Sequence, residues 1–289
     1  MAPYIPSRNC VYDVRTTLAS FGLPNEIILT ILDDARYWVE HRRESTDLKV
    51  LMDEAFSLDY SAAYPYLAIQ ASWCSSYDDS ETPKLKEVEF LLVSHDQGWT
   101  TEDTHGTYTT SSFWEVSIIR PNGRFSSHKS LLAFSRWLRD TQEDLKVYPS
   151  LESASRTLSG SHSLVRRPAA SMEAQRLHCN EMTSITIGED DADDQMMSAS
   201  KEGEHAWYLQ SNEVARGVSV FDDEMVPRHK ITWGCSAYPN WTGNAGTGSG
   251  EGFVDRIQHG DWIVLWARAK RRGWENHILG ARVMLRYNI

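Results

Sequence analysis

The segment from Gly250 to Ile289 constrains the fold most, because it holds the densest run of strand-forming and aromatic residues. After the turn at residues 259–261, residues 261–270 have the sequence DWIVLWARAK, and alternate side chains of a strand point to opposite faces. One face consists of Trp262, Val264, Trp266 and Arg268. The other face consists of Ile263, Leu265, Ala267 and Ala269. A strand that is apolar on both faces is either covered by a second layer or lines a ligand pocket, so we expect the closing half of a β-sandwich.

Residue patterns typical of β-strands occur both before and after a region that has no such pattern. Residues 87–95 (EVEFLLVSH) and 113–120 (FWEVSIIR) alternate as half-buried strands do, and we expect them to be neighbours. Patterning resumes at residues 207–210 and 229–237. Residues 60–66, with Pro65, are interpreted as an irregular approach to the sheet, and residues 131–138 as a helical turn. The patterns predict a mainly β fold, an antiparallel β-sandwich of jelly-roll-like type.

The two regions that lack strand patterns define the expected domain organisation. Residues 1–60 form an N-terminal helical segment docked on the sandwich, and residues 61–289 form the sandwich domain. A long polar insertion interrupts that domain at about residues 150–203, with seven serines between Ser150 and Ser171 followed by an acidic run. We expect this insertion to contribute little to stability and to gate the site.

An amphipathic helix is predicted over residues 24–43 (PNEIILTILDDARYWVEHRR), since Pro24 suits the first turn and apolar residues recur every three or four positions. We expect it to pack on the sandwich through Ile28, Ile31, Leu32 and Trp38. Its opening, LPNEIILTIL, also resembles the first helix of an F-box, which leaves an adaptor role open.

Composition excludes several classes of partner. The 289 residues carry 29 Lys and Arg against 40 Asp and Glu, a formal charge of −11, which disfavours nucleic acid and anionic membranes. No apolar run approaches the ~20 residues of a membrane span. The four cysteines are far apart and no secretory leader is evident, so we expect reduced thiols and a cytoplasmic protein. The oligomeric state is left open.

Two local motifs fail the tests for a cofactor or metal. The glycine-rich segment 243–252 matches neither GxGxxG nor GxxxxGK[ST], so a flexible loop at the rim of the sandwich is the interpretation. His95, Asp96, Asp103 and His105 are suitable donors, but their spacing matches no established metal site. No metal and no cofactor are therefore predicted.

Eleven tryptophans are more than a sandwich core ordinarily needs, and each buried indole requires a partner for its N–H, so we expect some of them to line a cleft. Arg268 and His95 are the predicted catalytic groups, which polarise a bound carbonyl or enol. The predicted substrate-binding residues are Trp99, Tyr108, Trp114, Trp233, Trp266, Asn276 and His277. An aromatic cleft of this kind suits an apolar or aromatic small molecule.

Several short motifs of the sequence resemble those of a widespread, mostly uncharacterised filamentous-fungal family. They are SHDQGW at 94–99, GTY at 106–108, FWE at 113–115, GFV at 252–254, GD at 260–261, WARA at 266–269 and GWENH at 273–277. The chain also resembles the cofactor-free hetero-Diels-Alderases of fungal tropolone sesquiterpenoid biosynthesis. That resemblance implies dehydration of a hydroxymethyl tropolone to an o-quinone methide and its cycloaddition to a humulene-type alkene, with an aromatic pocket supplying orientation.

A second class of function remains open, a non-catalytic β-sandwich module that binds carbohydrate or peptide. The location of the aromatic side chains separates the two classes, since exposed indoles favour a binding platform and an enclosed apolar cavity favours a terpenoid ligand. The F-box alternative requires the apolar face of the helix after Pro24 to be exposed.

Overall fold

A computed structural model describes most of the chain. The described residues are 5–52, 61–72, 83–100, 104–123, 128–158, 160–168, 203–215, 226–270 and 273–288. Within these ranges, the helices are all too short or too polar to cross a lipid bilayer.

Strands dominate the chain, and all of their pairings are antiparallel. They are β1 (Val39–Ser45), β2 (Lys49–Met52), β3 (Ser61–Gln70), β4 (Lys84–His95), β5 (Ser112–Pro121), β6 (His162–Leu164), β7 (Trp207–Ser211), β8 (Arg228–Gly234), β9 (Trp241–Thr242), β10 (Trp262–Lys270) and β11 (Glu275–Asn288). Sheet A has the order β1-β11-β4-β8-β9, with β2 also paired to β11. Sheet B has the order β3-β10-β5-β6, with β7 also paired to β5. The predicted mainly β, antiparallel sandwich is confirmed.

Five helices accompany the sheets in the described part of the chain. They are α1 (Arg8–Ser20), α2 (Asn25–Asp34), α3 (His128–Glu143), α4 (Leu151–Arg156) and the short α5 (Phe253–Arg256). Val11 of α1 and Ile28 of α2 belong to the core between the sheets, and so does Phe253 of α5. The helices α3 and α4 pack elsewhere, on strands β3 and β6 of sheet B.

The two faces of β10 lie in two separate hydrophobic cores, which answers the question that its sequence raised. Ile263 and Leu265 belong to the core between the sheets. Trp262 and Trp266 belong to a second core, where Phe134 of α3 stacks on Trp262 with ring centroids 4.4 Å apart. A helical layer therefore packs on the outer face of sheet B.

The helix predicted over residues 24–43 is wrong in its second half. The helix α2 ends at Asp34, because Arg36 adopts a left-handed conformation with φ 49° that an α-helix cannot continue. Residues 39–45 form β1 instead. The expected packing holds for Ile28, Leu32 and Trp38, which are buried, but Ile31 is 40% exposed.

Three other local expectations are corrected. Residues 61–70 form β3, and Pro65 is tolerated there because β3 lies at an edge of sheet B, beside an irregularity in its register with β10. The strands β4 and β5 are not neighbours but lie in different sheets. Residues 131–138 belong to the 16-residue helix α3 rather than to a single turn.

The first part of the region interpreted as an insertion is structured. The helix α4 buries Leu151 and Ala154 in the second core, and β6 pairs with β5. These contacts favour a contribution of this part to stability, and the small contribution expected for the insertion stays a prediction. Residues 169–202 lie outside the described part of the chain.

Candidate functional site

The predicted aromatic pocket is not assembled by the structure, because its residues lie in different layers. Trp114 and Trp233 are buried in the core between the sheets. Trp266 is buried on the opposite face of sheet B, where its Nε1 donates to Ser117 Oγ at 2.7 Å. Trp99 is 60% exposed, and Tyr108 packs against Gly246 of the glycine-rich loop.

That glycine-rich loop is packed rather than free. Its Gly248 carbonyl accepts hydrogen bonds from the indoles of Trp233 and Trp241, each at 3.2 Å, and Gly250 lies against the Trp233 ring. Side chains at these glycines would collide with aromatic rings or backbone, so the glycines serve close packing. A phosphate cradle is not formed.

Arg268, the first predicted catalytic residue, is fully buried. Its Nη1 is paired with the carboxylate of Glu115, its Nε donates to the Ala62 carbonyl at 3.3 Å, and its guanidinium lies 5.7 Å from the centre of the Phe113 ring. Both charged groups are removed from water, and each compensates the other. This geometry assigns Arg268 to the structure of sheet B.

Three side chains from these motifs, Ser94, Trp114 and Asn276, meet Asn212 in a buried polar network between the sheets. Trp114 Nε1 donates to Ser94 Oγ at 2.8 Å, and Ser94 Oγ donates to Asn212 Oδ1 at 2.6 Å. Asn212 Nδ2 donates to Asn276 Oδ1 at 3.1 Å, and Asn276 Nδ2 donates to the carbonyls of Phe113 and Arg268. Asn276 thus links β11 to sheet B, and its role as a substrate ligand stays a prediction.

His95 and His277 lie side by side on the outer face of sheet A, and we call them the histidine pair. They are directly opposite in the β4–β11 register, and their rings stack with centroids 4.7 Å apart and planes 11° apart. His277 Nε2 is 2.6 Å from Glu275 Oε2, and His95 Nδ1 is 2.6 Å from the Asp96 carbonyl. Burial lowers the pKa of His95 and the His277 charge lowers it further, although the hydrogen bond to Asp96 opposes both.

Asp96, which the sequence presented as a possible metal donor, binds backbone N–H groups in the structure. Its carboxylate is buried and accepts the backbone N–H groups of Gly98 at 2.8 Å and Ala215 at 2.6 Å. Burial raises the pKa of Asp96, while the two backbone hydrogen bonds lower it. Within the described ranges, no group of three or more His, Cys, Asp or Glu is arranged to hold a metal ion.

A cavity of a size suited to a ligand lies at the other end of the same outer face, and we call it the charged cleft. It encloses about 540 Å³, within the size range of small-molecule sites. Its lining is mostly polar and comprises Ile5, Pro6, Arg36, Trp38, Glu40, Glu89, Lys230, Thr232, Asn240, Thr242, Gly243 and Arg286. Sequence reasoning did not connect these lining residues into one site.

Arg286 is the centre of the charged cleft. The β-ladders place Glu40, Arg286 and Glu87 directly opposite one another on β1, β11 and β4. The guanidinium contacts Glu40 at 2.7 Å, Glu87 at 2.5 Å and Glu89 at 3.1 Å. Burial opposes its charge, but the hydrogen bonds that Arg286 donates to Glu40 and Glu87 and the negative charges of Glu89 and Glu87 outweigh burial and raise the pKa of Arg286.

The remaining polar groups of the cleft fix the same carboxylates from the sides. Arg36 Nη2 and Asn240 Nδ2 bind Glu87 Oε2 at 2.5 Å and 3.0 Å, and Lys230 Nζ lies 3.2 Å from Glu89. The left-handed turn at Arg36 that ends α2 therefore also brings this side chain to the cleft. A usable signal in the sequence was the charge alternation on predicted strands, with Glu87 and Glu89 two positions apart.

Comparison with known proteins adds no assignment. No protein-family model, no curated protein and no solved structure matches this chain. The function is therefore argued from the geometry of the two features on the outer face of sheet A.

Proposed function

We propose that the protein is a β-sandwich binding module whose charged cleft holds a neutral carbohydrate. The observation that carries the proposal is the network of ion pairs around Arg286, which is fixed in place and balanced in charge. Arg36, Lys230 and Arg286 face Glu40, Glu87 and Glu89, so three positive groups balance three negative ones.

An ion-pair network with balanced charge suits a ligand with hydroxyl groups. A hydroxyl donates one hydrogen bond and accepts others, so it satisfies a carboxylate and a neighbouring cation at once. Hydrogen bonds to charged partners are the stronger ones, and partners already held in place lose little entropy on binding. Thr242 and Asn240 add neutral donors and acceptors at the rim. A charged ligand would instead pair with the groups of opposite charge in the network and leave the groups of its own charge without compensation.

The other two hypotheses have less support from the described residues. The dehydration and cycloaddition of a tropolone stay a prediction, since that reaction needs an apolar enclosure and the predicted lining is dispersed between two cores and the surface. The F-box alternative needs a free helix, whereas α2 buries Ile28 and Leu32 against the sandwich. We also propose a cytoplasmic location, because the buried free thiol of Cys235 is typical of proteins from a reducing compartment.

Isothermal titration calorimetry with neutral, anionic and cationic oligosaccharides tests the proposal. We expect binding of at least one neutral glucan series and weaker binding of the charged sugars. Lys230→Met removes an exposed cation that contacts Glu89, and it should weaken binding about 10- to 100-fold, the value of one hydrogen bond to a charged group.

The matched control is Lys146→Met, because Lys146 lies over the Tyr148 ring beside the helical layer, away from the cleft. It should leave the affinity unchanged. If no oligosaccharide binds, or if both lysine variants lose affinity equally, the charged cleft is not a carbohydrate site. In that case, turnover of the tropolone and humulene-type pair by purified protein becomes the next assay.

A further inference from the structure

We propose that the ligand of the charged cleft is an extended chain, and that its far end binds at the histidine pair and Trp99. This inference rests on the proposed function and names the class of ligand more closely, a linear oligosaccharide rather than a single sugar. It is carried by the geometry of the outer face of sheet A between the two features.

A continuous strip of that face joins the cleft to the histidine pair. On β4, the outward side chains after Glu89 are Leu91, Val93 and His95, and Leu91 and Val93 are half-buried. The six residue steps from Glu89 to His95 span about 20 Å at the usual rise of a strand. Lys230, Arg282 and Arg228 lie opposite this strip on the neighbouring strands and provide donors along its length. Among the described residues, the helices α3 and α4 pack on sheet B and not on this face of sheet A.

The far end of the strip carries the aromatic surface that the cleft itself lacks. Trp38 in the cleft is buried, whereas Trp99 is 60% exposed. The loop of Trp99 is held beside β11, because Gln97 Nε2 donates to the Trp99 carbonyl at 2.9 Å and Gln97 Oε1 accepts the Glu275 N–H at 3.4 Å.

This end of the strip therefore combines a flat surface with groups that hold hydroxyls. An exposed indole offers an apolar face and a polar edge, a combination suited to a sugar ring. The stacked imidazoles and the Glu275 carboxylate add hydrogen-bonding groups next to it. The cleft and this end together make a site longer than one sugar ring.

The test is a chain-length series of neutral glucan oligosaccharides with two, four and six units, titrated into the full chain. Affinity should rise with length for the native protein. Trp99→Ala and His277→Ala should each weaken hexasaccharide binding about 3- to 10-fold, the scale of one aromatic contact, and leave disaccharide binding unchanged. Phe21→Ala is the matched control, since Phe21 is an exposed aromatic in the turn after α1 and should change neither affinity.

The outcomes separate this inference from the proposed function. If the disaccharide binds as tightly as the hexasaccharide, or if Trp99→Ala leaves hexasaccharide binding unchanged, the extended site is refuted and the cleft stands. If no member of the series binds, both proposals fail. If an unstructured polypeptide binds in place of the sugars and Trp99→Ala weakens it, the carbohydrate assignment is refuted.

Discussion

The outer faces of the two sheets differ in what covers them, although both belong to one sandwich. Sheet B presents Trp262, Val264 and Trp266, and the helical layer buries them. Sheet A presents Glu87, Glu89 and Arg286 at one end and the histidine pair at the other. An apolar face must be removed from water, whereas a charged face stays accessible and is free to bind a ligand. The open face of sheet A is therefore where function is expected.

Two arginines show the same contrast at the level of single residues. Arg268 on sheet B is fully buried, and its Glu115 partner is nearly so. Arg286 on sheet A keeps 18% of its side chain exposed and contacts three carboxylates at the base of a cleft. Sequence reasoning chose Arg268 because it shares a strand face with Trp262 and Trp266, which was expected to line a pocket. In the structure, it is Arg286 that lies in a cleft.

The largest expected effect is on the covered face. Trp266→Ala removes a fully buried indole and its bond to Ser117, and it should lower the free energy of unfolding by about 3–5 kcal/mol. Trp99→Ala on the open side should change it by less than about 0.5 kcal/mol. Urea denaturation of both variants measures the difference. Equal losses would contradict the assignment of Trp266 to a core.

Replacing each of the two arginines should show the same contrast, with the larger loss of stability on sheet B. Arg268→Met leaves Glu115 buried without its partner and should cost about 3–5 kcal/mol, as for other broken buried ion pairs. Arg286→Met should cost less, about 1–3 kcal/mol, because Glu87 keeps Arg36 and Asn240, and Glu89 keeps Lys230. The comparison fails if Arg286→Met is the more damaging change in denaturant titrations.

A matched pair of valines sharpens the comparison. Val264→Ala on the covered face should destabilise the protein by about 1.5–3 kcal/mol, the value of burying a valine side chain. Val93→Ala on the half-buried strip should cost less than about 0.5 kcal/mol. Thermal melts of the two variants provide the measurement. A large loss for Val93→Ala would show that another element covers this strip.

The smallest expected effect is a dependence of stability on pH at the histidine pair. Burial and His277 lower the pKa of His95 below its ordinary 6.5, so the unfolded chain binds a proton more readily than the folded protein does. Stability is therefore complete above pH 6.5 and falls as the pH decreases through the lowered pKa. Glu275 beside His277 and the buried Asp96 are the carboxylates that face the pair.

His95→Asn isolates this contribution, because an asparagine amide can still donate to the Asp96 carbonyl. The melting temperature of the variant should fall less between pH 7.5 and 5.5 than that of the native protein. Burial also lowers the pKa of His41 and of His162, so both proteins retain some slope. Identical slopes would mean that the stacked pair does not resist protonation.

The sequence by itself determined the class of fold and many of its strands. Residues 87–95 and 113–120 predicted β4 and β5, because burial of one face of a strand imposes a period of two, and the apolar run at 261–270 predicted β10, because both of its faces are buried. The positions of Pro24 and the isoleucines predicted the start of α2, since capping and amphipathic spacing are local properties. These features depend only on residues close together in the chain.

Only the tertiary structure decided which strands are neighbours and which side chains meet. The charged side chains at the cleft come from distant parts of the chain, namely Arg36, Glu40, Glu87, Glu89 and Arg286. The β1–β11–β4 ladder places Glu40 and Glu87 on either side of Arg286. The same long-range pairing stacks His95 on His277 and separates Trp114 from Trp266 by a sheet. Strand order depends on the packing of the whole chain, and local periodicity carries no information about it.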